Sequence, residues 1–433
     1  MSALRSKSGW FVVLLLSLLP LAFWYSLEPL SVRFSSRITT LLSLGQVTGL
    51  VGMAMFALTL VLSGRLGFLE DYFGGLNRVY VAHHVFGSLA LVLLLVHPLA
   101  LAAERSQISA RSAALLLLPS TNWAVTWGIL ALLLMLLLLV LTLFVNFAYH
   151  LWKLSHKLLG PAFILASLHL VIINSDVSRD STLRAYMLLL SAIGILVYLY
   201  RTALGRLLVD RFEYRVESVA LRGDRVIQIG MTPVRRALRF SAGQFVFVDF
   251  RQEGISSEAH PFSITSAPGK KRLEIAVTVI GDYTSRLKEL RPGAGARIEG
   301  PFGRFSPGRC PSKNQIWIAG GMGIAPFMSM ARTLKGSEYG IDIYYGANTE
   351  GEATFLDELL RLARSNDRLR VIPFFADVQG FLTAELILEL SGDLRDKDIL
   401  LCGPPPMLKN LTDQFRRYGV KSGRIHSDEF KLR

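Results

Sequence analysis

In the first half of the chain, apolar residues run on for the length of a bilayer-crossing helix; in the second half they alternate with polar ones. Stretches near 10–27, 38–63, 79–102, 123–148, 155–174 and 184–204 are apolar almost throughout. About twenty residues of helix cross a hydrocarbon core of ~30 Å, so this pattern predicts six membrane helices. Beyond Arg211 come short strand-like runs, Tyr214 to Ala220, Arg225 to Met231 and Gln244 to Phe250, which predict a small antiparallel barrel ending near residue 305. The pattern then changes again. A buried strand at 315–319 leads into Gly320-Gly321-Met322-Gly323 and a helix from Ala325, followed by strand 341–346, helix 353–364 and strands 370–375 and 398–402. Strands alternating with helices imply a parallel sheet. The expected architecture is a six-helix transmembrane bundle over 1–207, an antiparallel β-barrel over 208–306 and an α/β parallel-sheet domain over 307–433.

Composition sharpens this division. The 433 residues are 51% hydrophobic, with only two cysteines, Cys310 and Cys402, both in the second half. An iron–sulfur cluster needs about four thiolates, and no spacing suits a zinc site or a disulfide framework. The net charge of +14 comes without any nucleic-acid motif, and basic residues beside membrane spans have a topological role. Arg201, Arg206, Arg211 and Arg215 crowd the end of the sixth span, which puts the second half in the cytoplasm. An even number of spans then places the N-terminus there too. Arg5 and Lys7 before an apolar run resemble a signal peptide, but five further spans and no clear cleavage pattern favour a retained anchor. The expected location is a plasma membrane, such as a bacterial inner membrane, crossed several times.

Six of the eight histidines fall in the membrane half: His83, His84, His97, His150, His156 and His169. An ionisable residue inside a bilayer is a functional hypothesis by default, and neutral imidazole is a standard axial ligand of haem iron. A lone one more often serves as an interhelical hydrogen-bonding residue. His83 and His97 are 14 residues apart on the third span, a rise of about 21 Å, and His156 and His169 are 13 apart on the fifth, about 20 Å. Two helices offering imidazoles at matching depths can hold two stacked b-type haems, with these four residues as the metal ligands. On an ideal helix the first pair differs in facing by about 40° and the second by about 140°; Gly160-Pro161 between the latter is expected to rephase the helix. His84 is the alternative to His83. His150 is expected at the interface, and Phe163 either lies between the haems or simply packs.

A glycine turn between strand and helix lets backbone amides approach phosphate at a helix N-terminus, although 320–323 lacks the full dinucleotide fingerprint. Its neighbours make the reading specific. His260-Pro261-Phe262-Ser263-Ile264-Thr265-Ser266 resembles the flavin-binding strand of the ferredoxin–NADP reductase superfamily, especially its membrane ferric reductase and NADPH oxidase branch. Gly281-Asp282-Tyr283-Thr284 with Leu287 is similar to the branch's second flavin segment, and Gly300-Pro301-Phe302-Gly303 to the turn closing its barrel. Gly320 to Pro326 resembles the nicotinamide dinucleotide loop, and Cys402-Gly403-Pro404 to Met407 the C-terminal nicotinamide motif. The membrane histidines resemble the same branch.

The resemblance implies an NAD(P)H-dependent oxidoreductase that passes electrons through FAD and two haems to an external acceptor. It places Phe262 against the isoalloxazine and the Ser263 hydroxyl near the flavin's reactive nitrogen, with Thr265 in the same set. His260 and Pro261 replace the Arg-x of soluble relatives, and Thr284 with its backbone helps hold FAD phosphate. Gly320, Gly321, Gly323 and Pro326 admit the dinucleotide, with Cys402, Gly403 and Pro404 near the hydride-bearing ring. Phe430 resembles the aromatic that covers the flavin, here followed by Lys431-Leu432-Arg433. Hydride carries two electrons and haem iron accepts one, so flavin is the adaptor. Glu350, Glu352 and Asp377 after the second and third strands favour NADH, with Arg361 or Arg364 in reach for NADPH. The acceptor is expected to be a ferric chelate or molecular oxygen, with a periplasmic redox protein third. Leu101 stands where animal NADPH oxidases carry a further histidine, which counts against a dedicated superoxide site. Arg33 and Arg37 at the outer end of the second span are expected either to attract an anionic acceptor or to anchor the interface. The competing readings are a membrane-anchored flavin reductase without haem, and a transporter with a regulatory nucleotide domain.

Overall fold

A backbone surrounded by hydrocarbon must satisfy its own hydrogen bonds, and helix does so within one segment. In the computed structural model, which describes residues 2–145, 149–223, 225–334 and 338–428, the apolar half is helical throughout its long runs. The chain divides near Val209 into two compact units. The first contains α1 (Ser2–Leu27), α2 (Arg37–Ser63), α3 (Leu76–Ser106), α4 (Trp123–Phe144), α5 (Tyr149–Lys157), α6 (Leu159–Ile172) and α7 (Ser181–Tyr198). Among the described residues, six stretches are long and apolar enough to cross a membrane: Ser8–Leu27, Arg37–Ser63, Leu76–Ser106, Trp123–Thr142, Leu151–Ile172 and Ser181–Ala203. The expected six spans are there, and the fifth is made of two pieces, α5 and α6.

Polar side chains mark where helices start. Ser36 caps α2 through the Thr39 amide, Asn122 caps α4 through Val125, and Asp180 caps α7 through Leu183; each satisfies an amide that has no intrahelical partner. α2 is the most buried span, with Ala54, Ala57 and Leu62 almost wholly enclosed. Its Gly, Ala, Ser and Thr content lets neighbouring backbones approach closely, as membrane bundles require.

Arg33 departs from its expected role. It is only 3% exposed and pairs with Asp176 at 3.0 Å. Its guanidinium also donates to the Trp24 carbonyl at 2.8 Å and to Gln46 Oε1 at 3.1 Å, and it lies 3.9 Å over the Trp24 ring. A buried charge persists only when paired, so Arg33 ties the end of α1, the start of α2 and the α6–α7 connection together. Arg37 is exposed.

The second unit begins with six antiparallel strands: β1 (Phe212–Arg222), β2 (Val226–Pro233), β3 (Phe245–Arg251), β4 (His260–Ser263), β5 (Leu273–Thr278) and β6 (Gly295–Phe302). Their order is β4-β3-β6-β1-β2-β5, and the two edge strands are joined by a bridge between Ile264 and Ile275. Tyr214, Ile229, Val246, Phe250, Ile275 and Ile298 fill the interior. Five parallel strands follow: β7 (Asn314–Gly320), β8 (Gly340–Ala347), β9 (Leu369–Phe375), β10 (Asp398–Cys402) and β11 (Ile425–Asp428), in the order β11-β10-β7-β8-β9. β11 was not legible as a strand. The chain winds outward both ways from β7, so the strand order reverses between β7 and β10. Open α/β sheets bind ligands at that switch point, beyond the carboxyl ends of the strands.

Truncating one partner of the Arg33–Asp176 pair strands a charge. Arg33→Ala is expected to cost about 3–5 kcal/mol in unfolding of the detergent-solubilised protein, followed by helical circular dichroism. The double change Arg33→Met with Asp176→Leu should cost less than Arg33→Ala alone; equal or greater loss would contradict the pairing argument.

Candidate functional site

The four predicted imidazoles meet in two pairs. His83 on α3 faces His156 on α5 with ring centroids 6.1 Å apart, and His97 on α3 faces His169 on α6 at 6.5 Å. Metal–nitrogen bonds of about 2 Å put two opposed imidazole centroids about 6 Å apart, so the separation in each pair would suit two imidazoles sharing one metal ion. The tautomers agree. His83 Nδ1 donates to the Thr59 carbonyl at 2.9 Å, His97 Nδ1 to that of Gly45 at 2.7 Å, and His169 Nδ1 to that of Ala124 at 2.6 Å. A carbonyl only accepts, so Nδ1 carries the proton and Nε2 is left as the donor atom for a metal. His156 is held by stacking on Trp152, 5.4 Å away and 9° from parallel.

Room for the rings comes from glycine. A Cβ on Gly49 would lie 2.7 Å from the His97 ring, and one on Gly128 would lie 2.9 Å from the His169 ring. Neither glycine is singled out by the sequence pattern; the small-residue spacing Gly45-x-x-x-Gly49 on α2 is a signal from which the close approach at His97 could have been read. The rephasing expected near Gly160-Pro161 takes the form of a break at Leu158 between α5 and α6. His84 is exposed and stands outside both pairs; the side chain of His150 lies outside the described residues. Phe163 is fully buried against Phe56, centroids 4.9 Å apart. Leu101 would meet a Cβ on Gly45 at 2.6 Å, so it packs on α2.

In the second unit, β4 pairs with β3 so that Phe262 opposes Val246 and Ser263 opposes Phe245. Phe262 and Ser263 are 9% and 6% exposed. His260 and Pro261 are half-buried, and the His260 ring stacks on Tyr283 with centroids 3.8 Å apart. Among the described residues, the Tyr283 hydroxyl is buried without a hydrogen-bond partner. Burial, then the nearby Asp249 and Glu258, raises its pKa well above the ordinary phenol value, so it stays a proton donor. An orphaned donor beside the β4 strand fits a polar ligand such as FAD, and sequence reasoning had named the segment without singling out Tyr283. Thr284 is committed locally: its hydroxyl accepts from the Ile280 and Gly281 amides at 2.9 and 3.1 Å and donates to the Gly281 carbonyl. Thr265 is wholly buried, and its carbonyl accepts from Arg332.

The glycine turn and the C-terminal motif lie on adjacent strands, at the ends of β7 and β10, and flank the switch point. Their glycines act first on each other's segments. A Cβ on Gly323 would overlap the Cys402 carbonyl, one on Gly320 would lie 2.7 Å from Met407 Sδ, and one on Gly403 would lie 3.1 Å from the Gly320 amide nitrogen. Gly321 alone has open space around it, with φ +52°. It begins a short 3₁₀ turn that runs into α8 (Ile324–Ala331). Pro326 is buried in the first turn of α8, where no amide hydrogen is needed. Pro404 precedes α9 (Pro405–Arg417). Cys402 is 0% exposed, and its thiol is pushed well up by burial and then by Asp428. Phe430 lies outside the described residues.

A trio missed in the sequence joins Cys310, Asp398 and His426, whose ligand-type atoms lie within 4.8 Å of one another. The Asp398 carboxylate accepts from the Ser312 amide at 2.6 Å and meets His426 Nε2 at 3.0 Å and Arg424 at 4.0 Å. The trio therefore reads as a satisfied buried carboxylate.

Residues 48–167 match the ferric reductase like transmembrane component, 211–294 an FAD-binding domain, and 317–413 an oxidoreductase NAD-binding domain. Ferredoxin–NADP reductase B of Sorangium cellulosum is 30% identical over 213 residues, 45% of this chain and 87% of that protein. Sulfhydrogenase 2 subunit gamma of Pyrococcus furiosus is 27% identical over 207 residues, 43% of this chain and 70% of that protein. A crystal structure of flavohemoglobin from Malassezia yamatoensis covers 90% of this chain and 97% of its own at TM-score 0.51 and 15% identity, a likeness of fold. This is a multi-pass membrane NAD(P)H oxidoreductase. It belongs to the ferric reductase and NADPH oxidase-like family, in which a ferric reductase-like membrane component is joined to FAD- and NAD-binding domains.

Two outcomes test this geometry. Gly321→Ala should cost roughly 1–2 kcal/mol for its left-handed backbone, whereas Gly323→Ala should lower the melting temperature further, because backbone must move. Burial, then Asp398, pushes the Cys310 thiol up to about 12, so its thiolate fraction grows as pH rises. Alkylation at Cys310 in the folded protein, followed by peptide mass mapping, should accelerate about tenfold per pH unit up to pH 10; a plateau below that would contradict the shift.

Proposed function

We propose that this protein carries electrons from NAD(P)H through FAD and two b-type haems to an acceptor on the far side of the membrane. The observation that carries the reading is the two imidazole pairs, 6.1 and 6.5 Å between centroids, at two levels of α3 in a chain that also contains a reductase module. His83 with His156 would hold one haem and His97 with His169 the other. The haems, when bound, supply one-electron redox steps, and FAD supplies the conversion from two-electron hydride. In this reading 1–207 is the membrane electron conduit, 208–306 the flavin domain and 307–433 the nicotinamide domain.

The chain's own contribution is orientation and exclusion of competing chemistry. Backbone carbonyls on α2 and α4 hold Nδ1 of His83, His97 and His169, which fixes those ring planes and leaves Nε2 for a metal. The buried Ser263 and the Tyr283 hydroxyl would hold the flavin ring system and its ribityl or phosphate oxygens, with His260 beside them. The amides at Gly321 and the start of α8 would bind the dinucleotide pyrophosphate. Glu350 and Glu352 follow β8, where they suit an unphosphorylated ribose, so NADH is the favoured donor. Both termini would lie in the cytoplasm of a bacterial-type inner membrane. The acceptor is a ferric chelate or oxygen. The burial of Arg33 removes it from the set of acceptor-attracting groups.

Purified protein given NADH without oxygen should develop reduced b-type haem bands in a difference spectrum. Replacing His83 or His156, and separately His97 or His169, by alanine should each remove one of two haems. Unchanged haem content in all four variants would sink the ligand assignment. Supplying ferric citrate or oxygen in turn, with superoxide dismutase-sensitive cytochrome c reduction followed in parallel, separates the two acceptors. NADH oxidation with no haem in the preparation would favour a plain flavin reductase.

A further inference from the structure

We propose that Arg332 is a positioning residue for hydride transfer, locking the segment that leaves the flavin strand to the helix that leaves the glycine turn. The proposal rests on the reading of 260–266 and 320–323 as flavin and nicotinamide segments.

Arg332 directly follows α8, nine residues beyond Gly323. Four hydrogen bonds leave its guanidinium. Nε and Nη2 bind the Glu358 carboxylate side by side at 2.7 and 2.9 Å, while Nη1 reaches the Thr265 carbonyl at 2.7 Å and Glu274 Oε2 at 3.0 Å. Glu358 belongs to the parallel-sheet domain, on the helix Leu356–Arg364. Glu274 is on β5 of the antiparallel sheet, and Thr265 lies just past β4, two residues after Ser263. One planar cation therefore joins both halves of the reductase unit.

The attachment is doubled and braced. One turn earlier on α8, Ser329 Oγ donates to the Ser266 carbonyl at 2.7 Å. Glu274 is fixed from its own side by Gln228 at 3.2 Å and Arg272 at 3.3 Å, and its amide donates to Ser266 Oγ at 3.1 Å. The Thr265 amide donates in turn to the Glu274 carbonyl at 2.8 Å. Arg332 is only 16% exposed, so these bonds face little competition from water.

Ser263 lies two residues from this lock and Gly323 nine, connected through the end of β4 and along α8. Hydride transfer depends on the separation of two rings, and about 1 Å of misplacement can cost roughly a hundredfold in rate. A lysine keeps the charge but not the planar fork, so it can hold one side of the lock at a time.

The test uses the full-length, FAD-loaded protein in detergent, with flavin reduction by NADH followed anaerobically in a stopped-flow instrument. Arg332→Met should slow the limiting rate of flavin reduction by about ten- to a hundredfold. FAD content and the NADH concentration giving half-maximal rate should change by less than about threefold, and Arg332→Lys should recover part of the rate. The primary isotope effect with deuterated NADH should stay expressed in Arg332→Met. Glu358→Gln provides a milder second variant, whose slowing should be less than additive with Arg332→Met. A wild-type rate in Arg332→Met overturns the proposal. So does a loss confined to FAD content, to half-saturation or to folding, provided Glu358→Gln and Arg332→Lys leave the limiting rate unchanged. If the wild-type flavin is reduced by neither NADH nor NADPH, the underlying cofactor reading falls first and takes this one with it.

Discussion

Everything in the membrane half follows from one constraint: a polar group in hydrocarbon must find its partner inside the bundle. The imidazoles obey it by committing one nitrogen to a backbone carbonyl of a neighbouring helix, at 2.6 to 2.9 Å for His83, His97 and His169. That bond fixes the ring plane and the tautomer together, and glycines opposite the rings make the approach possible. The Arg33–Asp176 pair satisfies the same constraint at a helix end. Helix placement, small-residue content and ring orientation are thus three aspects of a single requirement.

In the reductase half, close backbone approach plays the corresponding part. The ends of β7 and β10 come so near each other that side chains at Gly320, Gly323 and Gly403 would collide with the opposing segment. The two nicotinamide motifs of the sequence are therefore one structural object, built across the switch point of the sheet. Only Gly321 keeps the open, left-handed character usually imagined for such a turn.

What the sequence made legible divides along the range of the interactions concerned. The six spans could be read because each is a local property of about twenty residues, and the flavin and nicotinamide segments because their motifs are contiguous. The two histidine levels could be read from the helical rise. Contacts between distant residues could not. Arg33 passed for an interfacial cation because its partner Asp176 is 143 positions away. Arg332 went unremarked because Glu358, Glu274 and Thr265 are 26, 58 and 67 positions away. β11 escaped because Ile425-His426-Ser427-Asp428 has neither an apolar run nor alternation, and it is a strand only through pairing with β10. The local bonds by which the Thr284 hydroxyl closes its own turn were not legible in its motif either.

The interruption at Leu158 has a bearing on how such a chain can change over time. A continuous helix would couple the azimuth of both its histidines, so altering one facing would drag the other with it. Divided into α5 and α6, the fifth span resembles two collars on a shaft with a swivel between them. Adding or removing a residue at the swivel turns one collar by about 100° and leaves the other in place. The joint thereby makes the two levels separable units of variation, the facing of each histidine able to change without turning the other.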